Sequence, residues 1–260
     1  MSSHSSAIIL TFTLSDKQTP AMMYTLVMDI RINRYLAERG HCSRRQADEL
    51  ILKGVVSVNG APVKPGAKVS ETDTVSVNGK TISSPARLTY ILLNKPVGYI
   101  STTDRRAEDT VLDLVPRTVR LYPVGRLDVN SSGLLILTND GALTNRLTHP
   151  RYEHEKEYEV QVDKSLTEDA LSALRTGVIL DRKKTLPAKV KKMRDRSFVI
   201  ALRQGRNRQI RRMCESLGYT VTALRRTRVL SLTLDNLGAG QWRYLTNEEV
   251  MRLRSDAGIV

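Results

Sequence analysis

A stretch of twenty residues, 122–141, constrains the fold of this chain more strongly than any other. It reads YPVGRLDVNSSGLLILTNDG, and its apolar run at 134–138 lies between a glycine and an Asn-Asp-Gly turn. This run is too short for a typical helix and predicts a buried strand. Arg126 and Asp128 lie in the loop that enters the strand. Because such a loop can hold a carboxylate at the floor of a cleft, on a rigid support, Asp128 is a candidate catalytic acid.

An arginine and an aspartate two positions apart also occur in ordinary surface turns, where ion pairs contribute little to stability. Three further motifs favour the catalytic interpretation: LNKPVG at 93–98, HEKEY at 154–158 and GRNRQIRRM at 205–213. Together with GRLDVNSSGLLILTNDG at 125–141, these ordered motifs resemble the pseudouridine synthases of the RsuA, RluB, RluE and RluF branch. The resemblance covers roughly residues 29–253.

The resemblance implies a reaction and the residues that perform it. A specific uridine in structured RNA is isomerised to pseudouridine: its base leaves the sugar, turns over and rejoins through ring carbon five. No cofactor and no metal are required. The implied catalytic residues are the aspartate Asp128, its neighbour Arg126, Tyr158 stacking on the target uracil, and Arg211 pairing with the aspartate. The residues expected to bind the substrate are Ile210, Lys95 and Arg208.

The composition favours an RNA partner. The 260 residues include 41 Lys and Arg against 27 Asp and Glu, which gives a formal net charge of +14. This balance indicates a polyanion, with nucleic acid ranked before an anionic membrane surface. No apolar run of about 18 residues could span a membrane. Cys42 and Cys214 have no CxxC or Cys/His spacing, which argues against a zinc site and favours a reducing cytosol.

The N-terminal third is expected to contain a small domain. Residues 1–28 are expected to be a disordered extension or a mis-assigned start. Residues 29–80 predict two short helices and then the near-repeats VVSVNG and TVSVNG, which are typical of strands that end in tight turns. This part resembles the RNA-binding domain named after small-subunit ribosomal protein four. Its candidate phosphate contacts, unless they are only solvated helix faces, are Arg31, Arg34, Arg44, Arg45 and Lys53.

The rest of the chain is expected to be a linker at 81–88, a catalytic domain at 89–254 and a flexible tail at 255–260. The predicted fold class is α+β. The small α/β RNA-binding domain precedes a catalytic domain whose central sheet is mostly antiparallel and flanked by helices, as the pseudouridine synthase resemblance implies. Local patterns also predict a strand at 97–101, a short helix at 109–114, a strand at 229–237 and a last helix capped by Asn247.

Residues 181–228 hold 16 Lys and Arg against three acidic residues. Basic runs interleaved with apolar strands indicate phosphate contacts, and Arg206 and Arg212 are candidates. The other interpretation is a solvated basic face. Arginines at the start of the helix predicted at 209–217 are poorly placed beside the positive end of its dipole, unless anionic groups compensate.

Two other functions fit parts of these patterns. A non-catalytic RNA-binding or ribosome-assembly protein would keep both basic surfaces, but it would have no reason to combine Asp128, Tyr158 and Arg211. An enzyme that acts on a different RNA nucleoside would use the same cleft. The substrate is expected to be large-subunit ribosomal RNA or transfer RNA, and the protein a cytoplasmic monomer that does not associate with membranes.

Overall fold

The computed structural model describes residues 29–82, 85–104 and 106–259. The expectation for residues 1–28 concerns a segment outside the described residues. The N-terminal part has two helices and short strands, and the C-terminal part is built around one large sheet.

Two helices and a four-stranded sheet share the core of the N-terminal part. Ser43 begins the second helix, as predicted: its hydroxyl accepts a hydrogen bond from the Gln46 amide at 3.2 Å, and the Gln46 side chain accepts one from the Ser43 amide at 2.9 Å. The two VSV segments of the near-repeats pair antiparallel to each other in the middle of the sheet. The elements are β1 (Ile30–Arg31), α1 (Ile32–Glu38), α2 (Arg44–Leu52), β2 (Val56–Val58), β3 (Ala61–Pro62), β4 (Lys68–Val69), β5 (Val75–Val77) and β6 (Lys80–Thr81).

A nine-stranded sheet organises the C-terminal part. Its main path runs β13-β14-β10-β15-β9-β7-β17, with β8 beside β9 and β16 beside β15. Every described strand pair in it is antiparallel except β15 with β9, so the predicted α+β class with a mostly antiparallel sheet is confirmed. The elements are β7 (Tyr90–Lys95), β8 (Tyr122–Pro123), β9 (Ser132–Thr138), α3 (Gly141–Thr148), a 3₁₀ turn (Pro150–Tyr152), β10 (Lys156–Val162), α4 (Glu168–Thr176), β11 (Ile179–Leu180), β12 (Lys183–Lys184), β13 (Lys189–Arg194), β14 (Ser197–Leu202), α5 (Gln209–Ser216), β15 (Val221–Val229), β16 (Leu232–Thr233), β17 (Trp242–Tyr244) and α6 (Asn247–Asp256).

Three apolar clusters pack around this sheet. The α3–α6 cluster includes Leu134 of β9, and the loop cluster includes its neighbour Leu135 together with Leu127. Because successive side chains of a strand point to opposite faces, these two clusters lie on opposite sides of the sheet. The α5 cluster includes Ile210, and Tyr158 packs against both it and the loop cluster. The α5 and loop clusters therefore lie side by side on one face.

The strand that joins the two halves of the sheet, β15, was not predicted from the sequence. It lies between β10 and β9, and its sequence VTALRRTRV interrupts the expected alternation with arginines. Arg226 is the physical reason, since it is only 3% exposed and occupies an inward position that a strand normally gives to an apolar residue. The predicted strand at 229–237 is wrong, because most of it is turn and loop around the two-residue β16.

The predicted helix at 109–114 is also wrong, because this segment forms turns. The Asp113 carboxylate accepts hydrogen bonds from the Thr110 amide and hydroxyl, both at 2.8 Å, and such local side-chain bonds compete with helical ones. The segment 97–101 contributes one isolated bridge, from Ile100 to Thr110, rather than a strand.

The C-terminal end differs from the prediction in two respects. Thr246 rather than Asn247 caps α6, since its hydroxyl accepts a hydrogen bond from the Glu249 amide at 3.2 Å. The flexible tail expected at 255–260 is wrong for residues 255–257, because α6 continues to Asp256 and Ala257 is buried in the α3–α6 cluster.

Gly133 allows β9 to approach β15 at the parallel junction. Its φ is 106°, and a Cβ placed there would lie 2.2 Å from the carbonyl oxygen of Arg226. Atoms do not approach so closely without displacement of the backbone, so glycine is required at this position.

We expect Gly133→Ala to lower the free energy of unfolding by at least about 2 kcal/mol, because it combines a backbone clash with a left-handed φ. Urea denaturation measures the effect. Gly205→Ala is the matched control, since nothing lies within 4 Å of its added Cβ. Equal stability of the two variants would contradict the close approach of the strands.

Candidate active site

The turn that carries Asp128 is held from below by Lys95, the last residue of β7. The Lys95 side chain is fully buried, and its ammonium donates to the carbonyl oxygens of Ser131 at 2.7 Å, Asp128 at 3.2 Å and Val129 at 3.4 Å. It also lies 2.9 Å from the carbonyl oxygen of Pro96. An ammonium has three protons, so these four acceptors share them. Lys95 thus fixes the backbone of the turn.

Two further donors complete the support of this turn. The Gly98 amide donates to the Val129 carbonyl at 2.9 Å, and Nη2 of Arg211 donates to the Asn130 carbonyl at 2.7 Å. Every carbonyl at 128–131 therefore accepts a hydrogen bond. The LNKPVG and GRNRQIRRM motifs meet at the loop of the central motif, although they are far apart in the chain.

Ser101 holds the residue just before Asp128. Its hydroxyl donates to the Leu127 carbonyl at 3.0 Å and accepts from the Leu127 amide at 3.2 Å. Nothing in the sequence singles out Ser101, because a single serine in a loop has no recognisable pattern. The fold alone brings it against a segment 26 residues away.

Asp128 lines a cavity of about 920 Å³. Its side chain is 39% exposed, and its Oδ2 lies 3.8 Å from Nη1 of Arg208, the residue before α5. Arg126 is exposed at the same cavity. The walls are formed by the segments 100–103, 122–123 and 125–130, by Thr144 and Thr148 of α3, and by Asn207 with Arg208.

The predicted ion pair between Asp128 and Arg211 is not formed. Among the described residues, the ion-pair partner of Asp128 is Arg208. Arg211 instead donates to the carbonyls of Asn130 and, at 3.0 Å, Val221. Burial lowers the pKa of Arg211, as does the nearby Arg208, while Asp128 raises it. Arg211 thus acts on the backbone of the loop rather than on the carboxylate.

Neither Tyr158 nor Ile210 lines the cavity beside Asp128. Tyr158 is half-buried at the seam between the α5 and loop clusters and is not among the residues that line the cavity. Ile210 is 4% exposed within the α5 cluster, so its predicted contact with the substrate is corrected. Ile210 packs in the core because it lies on the inward-facing side of α5.

The expected contact of Lys95 with substrate is corrected as well. The Lys95 side chain has no exposed surface, so it cannot contact the substrate directly. It affects the substrate only by positioning the turn that it supports. Burial lowers the pKa of Lys95 to about 8, while the Asp128 carboxylate raises it. The carbonyl acceptors around the ammonium also favour its charged form.

Two arginines predicted to bind phosphate are occupied by protein groups. The Arg206 guanidinium donates to the carbonyls of Leu180, Lys183 and Lys184 at 3.1–3.4 Å. Arg212 pairs with Asp181 at 2.5 Å. Both side chains tie the β11–β12 hairpin to α5, and both remain partly exposed, so their contact with RNA stays a prediction.

The basic residues of the N-terminal part lie on its surface. All five candidates are exposed: Arg31, Arg34, Arg44, Arg45 and Lys53. Arg34 forms an ion pair with Glu38 at 2.7 Å, and Arg44 lies 3.5 Å from the Asn33 side-chain oxygen. Their exposure leaves them accessible to an RNA.

The described part of the chain comprises residues 29–82, 85–104 and 106–259. Within these ranges, no group of three or more His, Cys, Asp and Glu is placed to hold a metal ion. Over the same ranges, no helix is both long and apolar enough to cross a bilayer.

Known proteins share this sequence and fold. Residues 89–216 match the RNA pseudouridylate synthase family, and residues 30–75 match the S4 domain. The chain is 44% identical over 226 residues to the dual-specificity RNA pseudouridine synthase RluF of Escherichia coli K12, which covers 86% of this chain and 78% of that protein. It is 41% identical over 236 residues to the ribosomal large subunit pseudouridine synthase B of Bacillus subtilis, over 86% and 96% of the two chains. A crystal structure of pseudouridylate synthase superposes with a TM-score of 0.65 at 30% identity, over 86% of this chain and 99% of that one.

The fold and these similarities define an RNA-modifying isomerase with a separate RNA-binding domain. The chain belongs to the RNA pseudouridine synthase family, and its N-terminal part is an S4 domain. The family inferred from the four motifs is confirmed.

We expect the stability difference between the wild type and Lys95→Met to depend on pH. With a pKa lowered to about 8 in the folded state, Lys95 binds fewer protons there than in the unfolded chain between pH 8 and its ordinary pKa of 10.5. The wild type therefore gains stability as the pH rises through this window. The difference in free energy of unfolding should shift in favour of the wild type by about 1–3 kcal/mol between pH 7 and 10.

Urea denaturation at a series of pH values measures this shift. Lys164→Met is the control, because Lys164 is exposed and its removal should leave the pH dependence unchanged. A difference for Lys95→Met that stays constant from pH 7 to 10 would show that the ammonium is not held as described.

Proposed function

We propose that this protein converts a specific uridine of structured RNA into pseudouridine and that Asp128 is the catalytic carboxylate. The observation that carries the proposal is a half-exposed carboxylate at a cavity, on a loop whose backbone is fixed by Lys95, Ser101 and Arg211. A reacting group needs such support, because a small misplacement reduces the rate strongly.

The chemistry suits a fixed carboxylate. As the glycosidic bond of the uridine breaks, positive charge develops on the anomeric carbon of the sugar. Asp128 bonds to this carbon or stabilises it electrostatically. Arg208, 3.8 Å away, keeps the carboxylate near the start of α5. The released base then turns and forms a bond from its carbon five to the same anomeric carbon.

The target nucleotide must leave its helix before it can reach Asp128. Unstacking a base costs a few kcal/mol, which contacts in the cleft must offset. We assign the stacking contact to Tyr158, whose half-buried ring lies at the seam below the loop. The exposed Arg126 stands at the cavity, where it can occupy the space that the base vacates or contact a phosphate.

The proposed substrate is large-subunit ribosomal RNA, with transfer RNA as the second possibility to be tested. The name of the Bacillus subtilis relative supports the first, since it is called a ribosomal large subunit enzyme. Mapping pseudouridines across all RNAs of a deletion strain decides between them. We also propose a cytoplasmic monomer, which size-exclusion chromatography and fractionation of cells would test.

We expect Asp128→Asn to abolish pseudouridine formation and to leave RNA affinity within about threefold of the wild type. The reason is that the carboxylate acts on the sugar during bond breaking and does not hold the RNA. The assay uses total RNA from the deletion strain, with pseudouridine formation and filter binding measured on the same RNA. Asp195→Asn, at an exposed turn, is the control. Pseudouridine formation by Asp128→Asn at near wild-type rate would contradict the assignment of Asp128 as the catalytic carboxylate.

The S4 domain supplies a second prediction. Replacing Arg44 and Arg45 together by Ala should weaken binding of all RNA sequences about equally and reduce the slope of log affinity against log salt by up to about two. The reason is that exposed arginines contribute phosphate contacts, which release counterions. Lys64→Ala with Lys68→Ala removes the same charge from another part of the domain and is the control. An unchanged slope in the arginine variant would show that these residues do not meet phosphate.

A further inference from the structure

Lys156 and Arg226 share the sheet face that carries Tyr158, and neither has a role in the proposed reaction so far. Side chains alternate along β10, so Lys156 points to the same face as Tyr158. On the neighbouring β15, Arg226 is the register partner of Tyr158. Arg226 is 3% exposed and Lys156 is half-buried. A pair of largely buried positive charges thus flanks the ring proposed to receive the base.

The carboxylates of β10 point away from this pair. Glu157 and Glu159 alternate with Lys156 and Tyr158 and therefore project from the opposite face. There they meet other cations: Glu157 lies 3.1 Å from Arg228, and Glu159 lies 3.4 Å from Arg225. The acidic residues of the strand consequently do not neutralise the buried pair.

The two cations bond only to carbonyl oxygens within the described part of the chain. Arg226 Nε donates to the Leu134 carbonyl at 2.7 Å, and Lys156 Nζ donates to the His154 carbonyl at 3.2 Å. Neither forms an ion pair with a described residue. Burial, together with the positive charge of the neighbouring Arg226, lowers the pKa of Lys156 to about 8. Buried charges without counterions are costly, so an anion bound here would offset that cost.

A reacting RNA carries negative charge on its phosphates and, after the glycosidic bond breaks, on the released base. These two groups differ in how deeply they enter the cleft. Phosphates remain at the rim of a cleft, where the exposed Arg126 and Arg208 stand. The flipped base enters furthest. Arg226 is 3% exposed and is not among the residues that line the cavity, so only the most deeply inserted group of the RNA can approach it. A uracil stacked on Tyr158 would be such a group, because directly opposed side chains on neighbouring strands are about 5 Å apart.

We propose that Lys156 and Arg226 stabilise the uracil anion that exists between bond breaking and bond making. This inference rests on the proposed function. When the bond between the anomeric carbon and N1 breaks, its electron pair stays with N1, and the negative charge spreads to O2 and O4. An ammonium and a guanidinium in a water-poor site favour that charge without reorganising. After carbon five bonds to the sugar, its proton leaves and N1 gains one, so the product is neutral and no co-reactant is consumed.

The test compares charge and shape at position 156. Lys156→Met removes the charge, and Lys156→Arg retains it. Arg226→Lys makes the matching conservative change on β15 without leaving an apolar side chain at the junction. Lys164→Met is the control, because Lys164 is exposed and outside the proposed site. Single-turnover pseudouridine formation is measured with excess full-length enzyme on total RNA from the deletion strain, and affinity is measured on the same RNA by filter binding.

We expect Lys156→Met to lower the single-turnover rate on the order of 100-fold, the usual effect of removing one preorganised donor. RNA affinity should stay within about threefold, and Lys156→Arg and Arg226→Lys should each keep most of the rate. Weaker binding of Lys156→Met with an unchanged rate at saturation would assign the pair to a phosphate and overturn the proposal. So would equal rates for Lys156→Met and the wild type, or equally slow Met and Arg variants. Absence of activity in the wild type itself would instead refute the proposed function.

Discussion

The position of the loop that carries Asp128 depends on the buried ammonium of Lys95. A fully buried charge is costly unless polar groups surround it, and here those groups are the carbonyls of the turn that carries Asp128. Each side of this contact needs the other, because the turn carbonyls would also lack a partner without the ammonium. Ser101 and Arg211 support the same loop from other segments. The loop that carries the carboxylate is therefore held by side chains from three separate segments: β7, the loop at residue 101 and α5.

The cleft lies where the sheet changes from antiparallel to parallel pairing. Gly133 lets β9 and β15 come together there, immediately after the Asp128 loop. The α5 cluster lies on one side of this junction and the loop cluster on the other, and Tyr158 packs against both. The cavity beside Asp128 is lined by the loop before β9, and Arg208, the residue before α5, lies 3.8 Å from the Asp128 carboxylate.

Described arginines in three different environments bear on RNA binding and on the site. Exposed ones, such as Arg44 and Arg45 of the S4 domain, are free to meet phosphates. Arg206 and Arg211, at the start of α5 and in its first turn, donate to carbonyls of neighbouring segments, which supplies the compensation that their place near a positive helix end requires. Arg226 is buried beside Tyr158, in the position proposed to meet the charge of the released base.

The sequence by itself determined the family, the α+β class, the two helices and the paired VSV strands of the S4 domain, β9, α5 and α6, and Asp128 as the candidate catalytic carboxylate, because local periodicity and ordered motifs are properties of short segments. It did not predict β15, since a buried arginine breaks the apolar pattern of a strand. It also misassigned Arg211, Lys95 and Ile210, whose partners come from segments far along the chain. Which side chain meets Asp128, and which only supports its backbone, is decided by packing across the sheet, because a hydrogen bond or ion pair depends on distances that only the folded chain sets.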